Sequence, residues 1–516
     1  MTGARRASAG VEIEPPLEAF RAAYDAGRPS VVWTRLVADL ETPVSAMLKL
    51  GRDRPMSFLL ESVEGGAVRG RYSIIGLQPD IIWRAFGDRA EINRSPARDP
   101  SAFKRLKEGT LKALRSLIAE SRIDLPPELP PMSSGIFGYM AYDTVRLIER
   151  LPTEKPDPLG LPDAILIRPT VMVIFDALKD EMTVVTPVFP RARQTADKAY
   201  AAARRRLGEV VGALEAPLPH TPPPASKAAP HPKQTSNTTP EGYEEMVRRG
   251  KEYIAAGDIF QVVLSQRFSA PFTLSPFALY RALRRTNPSP FLFHLDFGDF
   301  ALVGSSPEIL VRVRGGEVTI RPLAGTRPRG QTQEADLALE RELLADPKER
   351  AEHLMLLDLG RNDVGRVATI GSVKVDASFV VERYSQVMHI SSTVTGQLDP
   401  QRDSIDALMA GLPAGTLSGA PKVRAMEIID ELEAVKRGPY AGCVGYFSAD
   451  GEMDTCIVLR TAIVKDGRMY VQAGAGIVAD SDPKAEQNEC LHKSRALFRA
   501  AEEAVKFASR GKAGRR

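Results

Sequence analysis

The chain of 516 residues is long enough for two domains, or for one large layered domain with additions. Its hydrophobic fraction of 43% and charged fraction of 26% are ordinary for a globular protein, and no apolar stretch approaches the ~18–20 residues of a membrane-spanning helix. The net charge is +4, but eight basic residues lie in the apparent tails and linker, so the rest of the chain offers no basic surface to nucleic acid.

The chain start and the cysteines bear on the cellular compartment. Residues 1–10 are basic but lack the apolar core of a secretory signal, so we interpret them as a disordered tail. Cys443, Cys456 and Cys490 form no CxxC pair and no disulfide framework. This pattern favours a reducing cytoplasm.

A proline-rich stretch divides the chain. Eight of the 25 residues in 216–240 are proline, and such a segment cannot bury enough apolar surface to fold. We therefore predict an N-terminal region over 11–215, a linker over 216–240, a second region over 241–508 and a basic tail over 509–516. The N-terminal region ends with a predicted hairpin, Val171–Asp176 with Met182–Val188, followed by an Ala/Arg-rich helix.

The second region carries two sharper hairpin signals. Alternating residues run from Ile309 into Gly315-Gly316 and return to Leu323, and from Ile457 into Asp466-Gly467 and return to Gln472. Three helices are predicted around them: Pro347–Leu359, Pro421–Lys436 and Pro483–Ala504. Hairpins separated by helices predict an α+β fold, with large antiparallel sheets in a sandwich-like core surrounded by helices.

Two predicted helices each present a pair of carboxylates. DPKERAEH at 346–353 and DPKAEQNE at 482–489 both begin with an Asp cap followed by proline. Glu349 and Glu352 then share one helix face, and so do Glu486 and Glu489. A lone pair of this kind is usually a solvated face, but two copies behind the same cap are also what a Mg²⁺ site between two helices requires.

The hairpin ends gather groups suited to an anion. Counting back from Asp466-Gly467 places Arg460 opposite Ala473, beside 474–476, among apolar strand neighbours. Either an internal acid or a ligand carboxylate then pairs with its guanidinium. Glu308 falls opposite Leu323 in the other hairpin, two residues from Gly325. His389, in a strand-like run, is by itself more typical of a structural histidine than of a catalytic one.

Several segments together resemble one family. They are RPLAGTRPRG (321–330), KERAEHLMLLDLGRNDVGRV (348–367), PAGTLSGAPKVRAMEIIDELE (413–433), YAGCVGYFSADGEMDTCIVLRTAIV (440–464) and QAGAGIVADSDPKAEQNEC (472–490). They resemble the chorismate-utilising synthases, and among these the anthranilate synthase component I branch. The resemblance spans 241–505 and is weaker in the N-terminal region, at LLES (59–62) and RYSIIG (71–76).

The resemblance implies a reaction and assigns residues to it. The enzyme would be an Mg²⁺-dependent lyase that aminates chorismate and expels pyruvate to give anthranilate, the first committed step of tryptophan biosynthesis. Glu352 and Glu489 would bind Mg²⁺, supported by Glu349 and Glu486. Chorismate would contact Gly325, Thr326, Tyr440, Arg460, Gly474, Ala475, Gly476 and Lys493. The residues implied in catalysis are Glu308 as the acid for the departing 4-hydroxyl, His389 in pyruvate elimination, Gln261 and Thr416.

Two positions distinguish the branches of this family. Aminodeoxychorismate synthases carry a lysine where this chain has Ala324, and isochorismate and salicylate synthases carry one at Gln261. Lacking both lysines, the chain resembles an ammonia user that releases anthranilate. The alternatives are an aminodeoxychorismate or amino-deoxyisochorismate synthase and, in a different class, a tryptophan-sensing protein without catalysis.

The resemblance also implies partners. No cysteine lies in the G-x-C-x-G elbow of a glutamine amidotransferase, so a separate amidotransferase subunit would deliver ammonia, in a hetero-oligomer of two synthase and two amidotransferase chains. Tryptophan is the expected feedback inhibitor. The residues that match the family's tryptophan site are Glu61, Ser62, Pro290, Phe291 and Leu292.

Overall fold

The structure is a computed structural model that describes residues 12–51, 54–64, 68–152, 155–218, 234–384 and 387–513. The predicted tail 1–10 lies outside the described residues, and so does 219–233 of the predicted linker. Regular structure resumes at Thr235 and continues into a helix from Pro240. The final helix continues to Ala513, through part of the segment that we predicted as a basic tail.

The described residues contain eleven α-helices and three short 3₁₀ helices. The α-helices are α1 (Leu17–Asp25), α2 (Pro43–Leu50), α3 (Thr110–Glu120), α4 (Ala196–Glu215), α5 (Pro240–Ala255), α6 (Pro276–Thr286), α7 (Gln333–Ala345), α8 (Pro347–Gly365), α9 (Ser404–Gly411), α10 (Lys422–Leu432) and α11 (Pro483–Ala513). The 3₁₀ helices span Pro131–Ser133, Tyr142–Leu147 and Gly415–Leu417. Several α-helices begin as their sequences predict, with a side-chain cap followed by proline, as Thr42, Thr239 and Ser275 show.

Every strand pair in the described part of the chain is antiparallel. The strands of the first region are β1 (Ser30–Val37), β2 (Ser57–Glu64), β3 (Val68–Phe86), β4 (Arg89–Asn93), β5 (Lys104–Arg105), β6 (Gly135–Met140), β7 (Ala164–Asp176) and β8 (Glu181–Val188). Those that follow are β9 (Thr235–Ser236), β10 (Gln261–Pro271), β11 (Phe291–Asp296), β12 (Phe300–Ser306), β13 (Ile309–Arg314), β14 (Glu317–Ile320), β15 (Leu323–Pro328), β16 (Lys374–Arg383), β17 (Val387–Gln397), β18 (Gly419–Ala420), β19 (Cys443–Ser448), β20 (Met453–Ile457), β21 (Thr461–Lys465) and β22 (Arg468–Ile477).

Two long strands, β3 and β7, join two branches of the sheet. They pair from Tyr72–Asp176 to Ala85–Ala164, with an irregularity where Pro79 lies opposite Pro169. Proline donates no ladder hydrogen bond. On one side of this irregularity the outer neighbours of β3 and β7 are β2 and β8, and on the other side they are β4 and β6. One branch runs β1-β8-β7-β3-β2-β11-β12-β21-β22-β10, and the other runs β4-β3-β7-β6-β19-β20-β13-β14-β17.

The strands on either side of the predicted linker belong to one sheet. Strand β2 pairs with β11, so that Phe58 lies opposite Leu295, and β6 pairs with β19, so that Phe137 lies opposite Tyr446. The branches also pack face to face, since the rings of Phe58 and Phe137 stack with centroids 4.7 Å apart. The two regions therefore share one core.

The α+β prediction with antiparallel sheets is confirmed, and so are the hairpin turns. Arg314 pairs with Glu317 across Gly315-Gly316, and Lys465 pairs with Arg468 across Asp466-Gly467. All four turn residues have positive φ, as a two-residue type I′ turn requires. None of the helices formed by the described residues is long and apolar enough to cross a membrane.

Candidate active site

Glu308 lies between β12 and β13, and its carboxyl group is buried. It accepts a hydrogen bond from Thr416 Oγ1 (3.0 Å) and another from the backbone of Leu323. Burial raises the pKa of Glu308 to about 7, against the opposing effect of these hydrogen bonds and of the positive charges of Arg460 and Lys493. A carboxyl group that titrates near neutral pH suits general acid catalysis.

Arg460 lies next to Glu308, but not on a strand. The prediction of a continuous strand from Ile457 to Lys465 was wrong, because β20 ends at Ile457 and β21 begins at Thr461. Between them Arg460 has φ 48°, a left-handed conformation that interrupts the strand and turns its side chain away from the alternating pattern.

The Arg460 guanidinium is desolvated without an acidic partner. Burial lowers its pKa, and Glu308 and Tyr384 act in the opposite direction. Among the residues that the structure describes, no carboxylate lies within ion-pair distance of Arg460. Arg460 is half-buried, and such a cation gains most from an anionic ligand, since a guanidinium binds carboxylates in a two-bond fork.

Two glycines of β22 let other side chains lie against its backbone. A Cβ atom on Gly474 would be only 3.1 Å from the Tyr440 hydroxyl oxygen, and one on Gly476 only 2.5 Å from Gln261 Nε2. Ala475 lies between them and is fully buried. Lys493 Nζ donates a hydrogen bond to the Gly474 carbonyl oxygen (3.0 Å). Tyr440 and Lys493 therefore both lie close to the predicted substrate-binding residues 474–476 of β22.

His389 on β17 faces β15 at Gly325 and Thr326. Its Nδ1 lies 3.1 Å from the Gly325 carbonyl oxygen and 3.0 Å from Thr326 Oγ1. Because a carbonyl oxygen only accepts, Nδ1 carries the proton and Nε2 remains an acceptor. Burial and the charge of Arg460 lower the pKa of His389 to about 4, so the imidazole is neutral at physiological pH. Gly325 has φ 75°, which favours glycine at this position.

The two predicted carboxylate helices, α8 and α11, begin as expected. Asp346 accepts hydrogen bonds from the backbone N–H groups of Lys348 and Glu349, and Asp482 accepts one from Ala485. The capped first turns place Glu349 and Glu352 of α8 toward Glu489 of α11, since both Glu349 and Glu489 affect the titration of Glu352. Glu349, Glu352 and Glu489 therefore lie near one another between two helix starts, and Glu486 lies beside Glu489 on α11; we call these four carboxylates the acidic group.

These carboxylates differ in how their charge is balanced. Glu349 forms an ion pair with Arg327 (2.9 Å), and Glu489 forms one with Lys493 (2.7 Å). Glu352 accepts only a long hydrogen bond from Gln261 Nε2 (3.4 Å). Its pKa is raised by burial and then by the negative charge of Glu349. A positive charge at Glu352 would relieve both effects.

The donor set around Glu352 suits a hard divalent cation. Carboxylates and an amide are oxygen donors of the type that Mg²⁺ prefers, and the buried Oε1 of Gln261 has no hydrogen-bond partner. Among the described residues no three acidic, histidine or cysteine side chains are already arranged as a closed metal site. A Mg²⁺ ion bound here would therefore need further ligands from water or substrate.

The residues predicted to bind tryptophan lie on β2 and β11, away from the acidic group. Glu61 pairs in register with Leu292, and Ser62 with Phe291, just after Pro290. The Glu61 carboxylate is buried and accepts two hydrogen bonds from Arg284 (2.6 and 2.9 Å). It also accepts one from the Tyr280 hydroxyl. The structure brings the five residues together in one cluster.

Two residues that hold the site were not predicted from the sequence. Arg327 binds Glu342, Asp346 and Glu349 at once, and it thereby orients a predicted metal-supporting carboxylate. Tyr384 contacts the His389 ring, with centroids 5.5 Å apart. Arg327 stands in the quoted 321–330 motif, so the resemblance contained a signal for it, whereas Tyr384 lies outside every quoted motif.

Comparisons with known proteins agree on one family. Residues 69–499 match the family model described as chorismate binding enzyme. Anthranilate synthase component 1 of Cereibacter sphaeroides is 56% identical over 497 residues, which covers 96% of this chain and 98% of that protein. The Pseudomonas aeruginosa protein of the same name is 50% identical over 90% of this chain and 94% of its own length.

Solved structures give the same result. The crystal structure of anthranilate synthase component I from Streptococcus pneumoniae has a TM-score of 0.73 at 38% identity, and the match covers 83% of this chain and 92% of that one. The Escherichia coli isochorismate synthase MenF has a TM-score of 0.69 at 19% identity, which shows a shared fold only. The chain belongs to the chorismate-binding enzyme family and, within it, to the anthranilate synthase component 1 group.

Proposed function

We propose that this chain is the synthase subunit of an anthranilate synthase, which converts chorismate and ammonia to anthranilate and pyruvate. The observation that supports this most directly is the juxtaposition of a buried acid, Glu308, with a half-buried and unpaired cation, Arg460. Chorismate carries two carboxylates and a hydroxyl leaving group. An anion site beside a general acid matches that substrate.

Substrate binding needs positive charge at two points. Chorismate-binding synthases use a metal, and Mg²⁺ held by Glu352 and Glu489, with Glu349 and Glu486 in support, would supply the charge that binds and orients the ring carboxylate. Arg460, Tyr440 and the backbone at 474–476 bind the enolpyruvyl carboxylate. Gly325, Thr326 and Lys493 complete the walls of the site.

The chemistry then needs one acid and one base. Glu308 donates its proton to the departing 4-hydroxyl group while ammonia forms a bond at C2, so water leaves. The ammonium group formed at C2 then loses one proton to solvent, and the Glu308 carboxylate takes one up. In the second step His389 Nε2 accepts the C2 proton. The electron pair of that C–H bond aromatises the ring as the bond from the ring to the enolpyruvyl oxygen breaks. The enolate that leaves takes up the proton from His389 at its methylene carbon and becomes pyruvate. Thr416 holds the Glu308 carboxyl group for the first step.

Arg460 couples binding to acidity. In the free enzyme its positive charge lowers the pKa of Glu308. When the enolpyruvyl carboxylate neutralises that charge, the lowering effect is lost, so the pKa of Glu308 rises and the acid stays protonated until it reacts. Substrate binding thus prepares the proton donor.

Neutral residues at two positions favour ammonia as the nucleophile. Ala324 offers no side-chain amine for a covalent intermediate, and Gln261 is no base for activating water. Both alternatives would need a lysine at one of these positions. We therefore propose anthranilate rather than aminodeoxychorismate or isochorismate as the product.

The test is anthranilate fluorescence from the purified chain given chorismate, Mg²⁺ and an ammonium salt at alkaline pH. We expect anthranilate with ammonium and none with glutamine alone, because the chain has no glutaminase elbow and unprotonated ammonia is the nucleophile. EDTA should abolish the signal. Chorismate consumed without anthranilate would indicate a sister synthase, and no consumption would contradict the proposal.

We further propose that a component II subunit supplies ammonia from glutamine in the cytoplasm, in an assembly of two synthase and two amidotransferase chains. The name component 1 of the relatives implies a second component. Adding a purified amidotransferase subunit should confer glutamine-dependent activity. A sedimentation measurement on the mixture then gives the stoichiometry.

Tryptophan should inhibit the reaction by binding at the Glu61–Leu292 cluster. The ammonium-dependent rate is measured against tryptophan concentration, for the wild type and for Leu292→Asp, which places a charge in the apolar wall. We expect inhibition of the wild type and a weaker effect on the variant, because an indole loses its apolar contact. Full activity of the wild type in excess tryptophan would contradict this assignment.

A further inference from the structure

Arg437 follows α10 and is almost fully buried, with 2% of its surface exposed. Its guanidinium donates to the carbonyl oxygens of Leu417 (2.7 Å) and Val263 (2.6 Å). It also forms a two-bond ion pair with Glu433 (2.9 and 2.5 Å). One buried cation thus connects α10, β10 and the 3₁₀ turn at 415–417.

Glu433 extends these contacts along β10. One of its oxygens accepts hydrogen bonds from both the backbone N–H and the hydroxyl of Ser265, each 2.8 Å long. Ser265 lies opposite Gly474 in the strand register, and Val263 lies opposite Gly476. The ion pair therefore holds β10 at the two residues that face the glycine backbone of the proposed carboxylate site.

The bond to Leu417 acts on the proposed acid. Leu417 is the residue after Thr416, and both belong to the same 3₁₀ turn. Thr416 in turn donates to Glu308. The position of the Arg437 guanidinium thus fixes the turn that presents the Thr416 hydroxyl to the acid.

Arg437 also lies between two aromatic rings. Its guanidinium carbon is 4.8 Å from the Tyr142 ring centroid and 5.6 Å from that of Tyr440. The cation therefore packs against the ring whose hydroxyl lies beside Gly474. Tyr142 precedes the predicted linker, so both regions of the chain meet at this guanidinium.

We infer that the Arg437–Glu433 ion pair is a positioning unit for the active site, which sets Thr416, Tyr440 and the 474–476 backbone together. This inference rests on the proposed function. A buried ion pair is weak evidence for stability, since apolar side chains of the same volume often stabilise a core as well. Here, however, the hydrogen bonds of the pair hold two segments that each carry a proposed site residue, β10 and the turn at 415–417, and the guanidinium packs against a third such residue, Tyr440.

The test compares Arg437→Lys and Glu433→Gln with Arg168→Lys. Arg168 is also buried and forms a two-bond ion pair with Asp80 (2.8 Å for each bond), but it lies on β7 and contacts none of the proposed site residues. We expect kcat to fall about 100-fold in the first two variants, because a misplacement of about 1 Å costs that much. The Arg168 variant should stay within about twofold of the wild type.

The pH profile gives a readout that stability alone does not change. The titratable and charged groups around Glu308 are Arg460, Lys493 and Tyr384, and neither substitution alters them. Losing the Thr416 hydrogen bond raises the pKa of Glu308, because that bond stabilises the carboxylate. The basic limb of kcat/KM, corrected for free ammonia, should therefore move to higher pH in Arg437→Lys and not in Arg168→Lys.

The outcomes separate the two proposals. A wild-type enzyme that forms no anthranilate contradicts the proposed function itself. An active wild type with folded Arg437→Lys and Glu433→Gln variants of unchanged kcat and pH limb overturns the positioning role. If Arg437→Lys loses its cooperative thermal transition, the kcat and pH profile of Glu433→Gln decide whether the pair positions the site. Loss of folding in both variants would show that the pair serves stability, and would overturn the inference.

Discussion

Replacement of Glu352 by glutamine should lower kcat/KM for chorismate by about 1,000-fold, because a metal contributes several kcal/mol to such a reaction and each 1.4 kcal/mol is a factor of ten. Unlike Glu349 and Glu489, Glu352 has no basic partner within ion-pair distance among the described residues, so its charge is available to a cation. The amide keeps the shape and removes that charge. Anthranilate fluorescence, titrated with Mg²⁺, measures the effect.

Asp358→Asn is the matched control for Glu352→Gln. Asp358 lies on the same helix, and 61% of its side chain is exposed beside Arg361, so the substitution removes one negative charge from α8 outside the acidic group. Its Mg²⁺ dependence should equal that of the wild type. An equal loss in both variants, or none in Glu352→Gln, would contradict the metal assignment.

The pH dependence of metal binding follows from the same cluster. The pKa of Glu352 is raised by burial and by Glu349, and the group must be deprotonated to bind Mg²⁺. As pH falls toward the raised pKa, protons compete with the metal. The Mg²⁺ concentration for half-maximal rate should therefore rise at low pH in the wild type.

Glu308→Gln should lower kcat by about 10²- to 10⁴-fold, the range that a general acid contributes, and should leave chorismate and Mg²⁺ binding nearly unchanged. The wild-type Glu308 has a pKa of about 7 and acts in its protonated form. Its kcat/KM, corrected for free ammonia, should therefore fall as pH rises through about 7. In the glutamine variant this limb should disappear, because the amide does not titrate.

Binding of chorismate should move the same limb. The enolpyruvyl carboxylate would neutralise Arg460, whose charge lowers the pKa of Glu308 in the free enzyme. The limb in kcat, which reports the bound enzyme, should thus lie at higher pH than the limb in kcat/KM. Glu317→Gln, an exposed glutamate on the adjoining hairpin, is the control and should retain both limbs. A variant of Glu308 with wild-type kcat would exclude its role as the acid.

Local chemistry made part of the site predictable. The caps Asp346 and Asp482, with carboxylates three residues apart, determine which helix faces present the acidic group, and these features lie within eight residues of sequence. The turns at Gly315-Gly316 and Asp466-Gly467 were predictable for the same reason, because a type I′ turn needs positive φ at both positions. The remaining assignments came from a resemblance, which supplies roles that spacing does not.

Features that depend on distant segments were not predictable from local pattern. The alternation around Arg460 is that of a strand, and only the left-handed φ at this residue interrupts it. Arg437 directly follows the predicted helix Pro421–Lys436, yet its hydrogen-bond partners include Val263 and Leu417. Burial of such a cation depends on segments about 20 and 170 residues away, and the residues next to Arg437 in sequence do not indicate these contacts.

The shared sheet has a consequence for how the chain is made on the ribosome. Strand β2 receives its second neighbour only when β11, near residue 291, has emerged, and β6 waits for β19, near residue 443. Until then both strands expose hydrogen-bonding edges that invite pairing with other nascent chains. The N-terminal region therefore completes its fold late in synthesis, and holdase chaperones should bind these edges in translating polysomes.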